Sequence, residues 1–301
     1  MQLSIIPINH WYFELRAPFY LKNDFKFPAY STEWNVYLKR YTKVKTEDYL
    51  YQEEVEGGFL FGVGWAPYIL FHYGDYLDAT SKEYCRKILD PIVPEFKGLR
   101  GKQEEDVIDL LRFNRGIFQV YTGYGKTEVI AKLINYIVNE RKEHLLLLTP
   151  DSTSLNEIDN RVEKLYGITH EYIDYDALYN AVNVNGFPRS YQFERDNPYW
   201  QKVKWIIAEE AEYVINDSGS EVIELCTNSE RLYAFSATAD KKRAERIRMR
   251  EGNIPVVQRN KYLINYFGFA TVFRKPEDFI IYESYYYFVF CMSKILILLV
   301  K

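Results

Sequence analysis

The sequence predicts an α/β fold: a parallel sheet flanked by helices, preceded by a small α+β domain. Three observations carry this. Short apolar runs alternate with helical patterns between residues 97 and 240, the order that builds doubly wound sheets. One of those runs, Gly116 to Tyr121, leads through a glycine turn into a helix. Residues with chemistry recur just after the runs, and such sheets bind ligands beyond the carboxyl ends of their strands.

The chain has 301 residues, 48% hydrophobic and 27% charged, ordinary values for a globular protein with room for two domains. Its formal net charge is −4, so composition alone does not advertise nucleic-acid binding and any such surface must be local. Cys85, Cys226 and Cys291 are widely spaced, as are the four histidines. That argues against a disulfide framework and against a zinc site, and it suits a reducing compartment, read as cytoplasmic. The first residues, Met1 to Pro7, lack the basic flank and apolar run of a secretory signal.

Residues 1–95 read as a small accessory domain rich in aromatics, with strand or short-helix segments at Trp11–Leu15, Trp34–Tyr41 and Phe59–Tyr73. Tyr37 to Lys45 interleaves Lys39, Arg40, Lys43 and Lys45 with Tyr37 and Tyr41. That pattern can follow a nucleic-acid backbone and stack on bases, or it can be a solvated basic face. Pro91 to Phe96 reads as a linker.

The second domain spans 96–258. Glu104 to Leu111 is a helix with Val107, Leu110 and Leu111 on one face. Next comes the stretch Val120-Tyr121-Thr122-Gly123-Tyr124-Gly125-Lys126-Thr127, between a buried strand and a helix running from Glu128 to Asn139. A strand, a glycine turn and a helix are the context in which Gly-Lys-Thr cradles phosphate. Gly123 and Gly125 allow a tight turn whose N–H groups point inward with the positive end of the helix. Lys126 would reach the β- and γ-phosphates, and Thr127 would offer its hydroxyl to Mg²⁺. The plain alternative is a glycine turn ahead of an amphipathic helix.

His144 to Thr149 is a second strand, ending at Thr149-Pro150; a helix with Leu155, Ile158, Val162 and Leu165 follows. Tyr172 to Leu178 reads as a short strand entering a helix, Val203 to Ala208 as a third strong strand, Ser220 to Cys226 as a helix and Arg231 to Phe235 as a fourth strand. Ile264 to Phe273 reads as a strand pair around Gly268. Lys241 to Arg250 reads as a solvated basic helix. The tail, 279–301, is apolar but interrupted by Ser293-Lys294, which argues against a membrane span.

Nucleotide hydrolysis needs a phosphate cradle, a metal on the phosphate oxygens and a group that positions water. Glu209 closes the third strand and would hold Mg²⁺; Glu210 would orient or deprotonate the water. Two adjacent carboxylates repel unless a cation lies between them, so the pair itself points to a metal. The alternative is that they only solvate the strand end.

In order, these elements resemble the first motor domain of the superfamily 2 helicases, the DEAD/DEAH-type ATPases with a RecA-like fold. Leu99-Arg100 followed by Gln103 resembles the adenine-contacting element, and Val120 to Thr127 resembles motif I. Thr149-Pro150 with Leu155 resembles motif Ia. Asp174-Tyr175-Asp176-Ala177-Leu178 resembles the Thr-Tyr-Gln-Ser-Leu element. Glu209-Glu210-Ala211-Glu212 stands where Asp-Glu-Ala-His or Asp-Glu-Ala-Asp belongs, and Ser236-Ala237-Thr238 resembles the coupling motif III. The small preceding domain resembles that of phage-type DNA repair and recombination helicases. A viral origin would put the protein in the host cytoplasm.

The resemblance implies ATP and Mg²⁺ as cofactors. Gln103 and Thr122 to Thr127 would bind the nucleotide, and Thr127 and Glu209 the metal. Lys126 and Glu210 would be catalytic. Nucleic acid, DNA rather than RNA, would lie on Thr149, Pro150 and Tyr175, with no membrane involved. Three departures qualify it. Val120 replaces a small residue and crowds the loop entry. Glu209 replaces the family's Asp, one methylene longer. No Gln-x-x-Gly-Arg-x-x-Arg run, which carries the family's arginine finger, occurs. Residues 259–301 are therefore expected to be the start of a missing second motor domain or an aberrant tail, with a separate chain able to supply that domain. Hydrolysis by this chain alone is expected to be weak. A degenerate binding module without turnover is the rival reading; a phosphate-loop kinase or GTPase is a third, without the Asn-Lys-x-Asp run that reads guanine.

Overall fold

The computed structural model describes residues 2–35, 37–87, 96–184, 195–215, 217–237, 263–268 and 270–274. They fall into two compact units: 2–87 with 263–268, and 96–237 with 270–274. This differs from the division at 95 and 258 that the sequence suggests, since residues beyond 258 return to both units.

In the first unit, β1 (Ser4–Pro7), β2 (Tyr12–Arg16), β5 (Glu53–Val55) and β6 (Gly58–Gly62) form an antiparallel sheet in the order β1-β2-β6-β5. The ladder of β3 (Lys26–Asn35) and β4 (Arg40–Tyr49) is a separate two-stranded sheet. Helices α1 (Ala66–Tyr73) and α2 (Ala79–Lys87) complete the unit. Part of the aromatic content forms the core: Phe13, Phe25, Phe59 and Phe61 are fully buried, with Phe13 stacked on Phe61 and Phe25 edge-on to Phe59 and Phe61.

Residues 263–267 are a short helix rather than the first half of a strand pair, because they pack on β6 and the turn after it. Trp65 donates its indole N–H to Asn265 Oδ1 at 2.8 Å, and both residues are buried. The close approach requires glycine: a Cβ on Gly64 would lie 1.7 Å from the Ile264 carbonyl oxygen. Gly64→Ala is therefore expected to destabilise this unit by roughly 1–3 kcal/mol, the usual range for overpacking. Calorimetric unfolding would show a midpoint several degrees lower; an unchanged midpoint would contradict this packing.

The second unit is an all-parallel six-stranded sheet in the order β12-β7-β11-β10-β8-β9. Its strands are β7 (Arg115–Val120), β8 (Leu145–Thr149), β9 (Tyr179–Asn183), β10 (Trp205–Glu209), β11 (Arg231–Ser236) and β12 (Ala270–Arg274). Leu145 to Leu148 are fully buried, as expected of a strand covered on both faces. Helices α3 (Gln103–Leu111), α4 (Lys126–Asn135), α5 (Ser152–Tyr166), α6 (Ala211–Val214) and α7 (Asp217–Leu225) belong to this unit. The predicted helix to Asn139 ends instead in a wider π turn, Tyr136–Arg141. The strand predicted over Tyr172 to Leu178 is a loop, and the strand begins at Tyr179.

Strand order positions the site. Because β11 lies between β7 and β10, Ser236 and Ala237 emerge between the glycine turn after β7 and Glu209-Glu210 after β10. Thr238, Lys241 to Arg250 and the tail lie outside the described residues. No helix among the described residues is long and apolar enough to cross a membrane.

Candidate nucleotide site

The glycine turn has the backbone that the sequence calls for. Gly123 and Gly125 have φ of 93° and 95°, left-handed values that glycine adopts without a Cβ penalty. Gly125 precedes the first residue of α4, so Lys126 and Thr127 open that helix. A Cβ at Gly125 would come within 2.7 Å of Gln103 Nε2. Val120 is 1% exposed and packs into the hydrophobic core.

Lys126 meets both carboxylates. Its Nζ lies 2.7 Å from Glu210 Oε1 and 3.5 Å from Glu209 Oε1. Adjacent strand residues point to opposite faces, so two in sequence do not ordinarily reach one ammonium. Glu210 breaks the alternation with φ of 46°, a left-handed conformation that costs a residue with a side chain about 1–2 kcal/mol. All three side chains are largely buried. Burial pushes the Glu209 carboxyl from 4.5 up to about 7; Lys126 pulls it back, while the charges of Glu210 and Glu212 push it up. Glu209 Oε2 is buried without a hydrogen-bond partner.

These residues fit a Mg²⁺-bound nucleotide. The orphaned Glu209 oxygen needs a cation or donor, Lys126 now occupies the place where a cation would neutralise both carboxylates, and the turn excludes a Cβ at Gly125. Among the described residues, no cluster of three or more His, Cys, Asp or Glu could hold a metal.

Residues that the sequence reading missed support the turn. The Tyr124 hydroxyl donates to Asp106, which is 1% exposed on α3. A carboxylate among Val107, Leu110 and Leu111 on an apolar helix face was the available signal. Gln103 Nε2 donates to the Tyr124 carbonyl at 2.7 Å, and its Oε1 accepts from Arg100 N–H at 2.9 Å. The Nε2 end thus holds the turn, while the Oε1 end holds the loop ahead of α3. Thr127 Oγ1 donates to Glu157 Oε1 on α5 at 3.1 Å. Glu157 carries no sequence signal, since it lies on the polar face of an amphipathic helix.

The expected nucleic-acid residues are not brought together. Thr149 is fully buried and donates its hydroxyl to the Asp151 carbonyl at 3.2 Å; Pro150 is buried beside it. Both sit at the carboxyl edge of the sheet but offer no exposed surface. Tyr175 is 43% exposed, yet its loop leads into the amino end of β9, the edge opposite the glycine turn. Leu145 N–H bonds the Leu178 carbonyl there, which fixes the loop at that edge. The likeness to a Thr-Tyr-Gln-Ser-Leu element therefore does not hold in space. Ser236 and Ala237 are buried between the glycine turn and the Glu209-Glu210 pair.

The family described as "Type III restriction enzyme, res subunit" (ResIII) matches residues 81–240. Two solved structures share the fold. The crystal structure of T4 UvsW is 12% identical with a TM-score of 0.54, covering 91% of this chain and 57% of that one. The UvsW helicase from bacteriophage T4 is 13% identical with a TM-score of 0.56, covering 91% of this chain and all of that one. The chain thus spans 57% of the length of the first and 100% of the second. At these identities the likeness is one of fold. No curated protein matches the chain by sequence.

Proposed function

Since the chain belongs to the ResIII family and carries the first RecA-like domain of a superfamily 2 helicase, we propose that it is an ATP-driven motor that binds Mg-ATP and works on DNA. The observation that carries this reading is the Lys126–Glu209–Glu210 cluster beneath the glycine turn.

In this reading the nucleotide displaces Lys126 from the carboxylates, and its ammonium moves to the β- and γ-phosphates. Bound Mg²⁺ supplies charge neutralisation on the phosphate oxygens. Thr127 and Glu209 would hold it. Glu210, relieved of Lys126, takes a proton from the attacking water. Backbone N–H groups of Thr122 to Gly125 cradle the phosphates. Ser236 and Ala237, between the two halves, pass loss of the γ-phosphate outward. A second RecA-like domain, in a continuation of this chain or in a separate one, supplies the arginine finger, worth about 10³–10⁵ in rate in comparable enzymes.

The test is phosphate release from ATP by the full chain with and without DNA. Release that needs Mg²⁺ and rises with DNA supports the motor. Tight nucleotide binding with no release under either condition would replace it with the degenerate binding module.

The accessory unit adds a DNA contact in this proposal. At the turn of the β3–β4 ladder Tyr37 is 97% exposed, beside exposed Lys39 and Arg40. Replacing Lys39 and Arg40 with Ala should reduce the slope of log affinity against log salt by roughly 1.4–1.8, the release of two phosphate contacts. An unchanged slope in a salt titration would remove the ladder from the binding surface.

A further inference from the structure

The phosphate turn is tied to a second helix at two adjacent positions. Thr127 Oγ1 donates to Glu157 Oε1 at 3.1 Å, and Glu128 pairs with Arg161, one helical turn further along α5. The start of α5 is fixed in turn: Asp151 caps it, accepting the Ser154 N–H at 2.8 Å. Thr127 is the residue whose hydroxyl oxygen would ligate Mg²⁺, so the direction of its single proton matters. A hydroxyl has one proton and two acceptor lone pairs. With the proton directed to Glu157, the lone pairs stay available to a cation. Without that acceptor the hydroxyl can rotate, and some of its rotamers turn the proton toward the metal.

We propose that Glu157 is a positioning residue for the metal site, holding the Thr127 hydroxyl in the rotamer that leaves an oxygen lone pair for Mg²⁺. The inference rests on the Mg-ATP reading of the site. It adds a carboxylate that lies outside the phosphate turn and outside the strand-end pair. Outer-shell partners of this kind typically change metal affinity by about 10–100-fold when removed. Glu157 is exposed, which places its effect near the lower end.

The experiment is a Mg²⁺ titration of the full chain, reading the concentration that gives half-maximal binding of a non-hydrolysable ATP analogue. Glu157→Leu should raise that concentration about 10-fold. Glu157→Gln keeps an acceptor for the Thr127 proton and should stay within about 3-fold of the parent, less than the outer-shell range. Arg161→Ala breaks only the neighbouring contact and should leave the value unchanged. Equal shifts in Glu157→Leu and Arg161→Ala would mean that the two contacts merely brace the helices, and would overturn the proposal. So would an unshifted Glu157→Leu. Absence of Mg²⁺-dependent binding in the parent would overturn both this inference and the Mg-ATP reading, whereas normal parental binding with an unshifted Glu157→Leu would overturn this inference alone.

Discussion

Glu210→Gln is expected to lower ATP turnover by about 10²–10⁴-fold, the contribution typical of a positioned general base, while nucleotide binding is kept. Glutamine fills nearly the same volume on the same backbone, so the left-handed turn at Glu210 and the approach to Lys126 at 2.7 Å survive as a neutral contact. What disappears is the capacity to take a proton from water. One negative charge is also removed from beside Glu209, and that charge is among the causes that hold the Glu209 carboxyl high. Glu209 in the variant therefore ionises at lower pH, and the repulsion facing an incoming γ-phosphate falls. Binding should be unchanged or tighter. Single-turnover kinetics separate the two effects, and a variant with parental turnover would remove Glu210 from the chemistry.

Lys126→Ala is expected to weaken nucleotide binding by about 10–100-fold, the loss of a charge-assisted hydrogen bond to phosphate of about 1.5–3 kcal/mol. It should also change the pH dependence of folding. In the parent, Glu209 has a folded value of about 7 against an ordinary 4.5. A carboxyl raised on folding contributes stability that is fully present below about 4.5 and is lost as pH rises through about 7, at up to about 1.4 kcal/mol per pH unit. Lys126 lowers the Glu209 value, so its removal extends this decline to higher pH. Denaturant unfolding between pH 5 and pH 9 would show the variant still losing stability where the parent has levelled off. Parallel curves would contradict the coupling.

The parallel sheet was legible because each of its core strands is a nearly continuous apolar run, and such runs are hard to place anywhere but between two layers of helices. The glycine turn was legible because Gly123, Gly125, Lys126 and Thr127 have no equally economical structural explanation at the end of a strand. The two carboxylates after β10 were legible from their adjacency. What was not legible depends on contacts distant in sequence. Gln103 and Tyr124 are 21 residues apart, and Thr127 and Glu157 are 30 apart. Nothing local announces that either pair meets. Residues 263–267 are apolar and aromatic, and their strand-like composition yields to the tertiary contact between Asn265 and Trp65. Tyr175 shows the opposite case: a short local likeness to a family element does not fix position, and the course of α5 carries that loop to the other edge of the sheet.

The most direct measurement is a calorimetric titration of nucleotide into the full chain, with and without Mg²⁺. Saturable binding that requires Mg²⁺, favours ATP over GTP and is lost or greatly weakened in Lys126→Ala is expected. Binding of the same strength in Lys126→Ala, or no binding in the parent, would contradict the Mg-ATP reading.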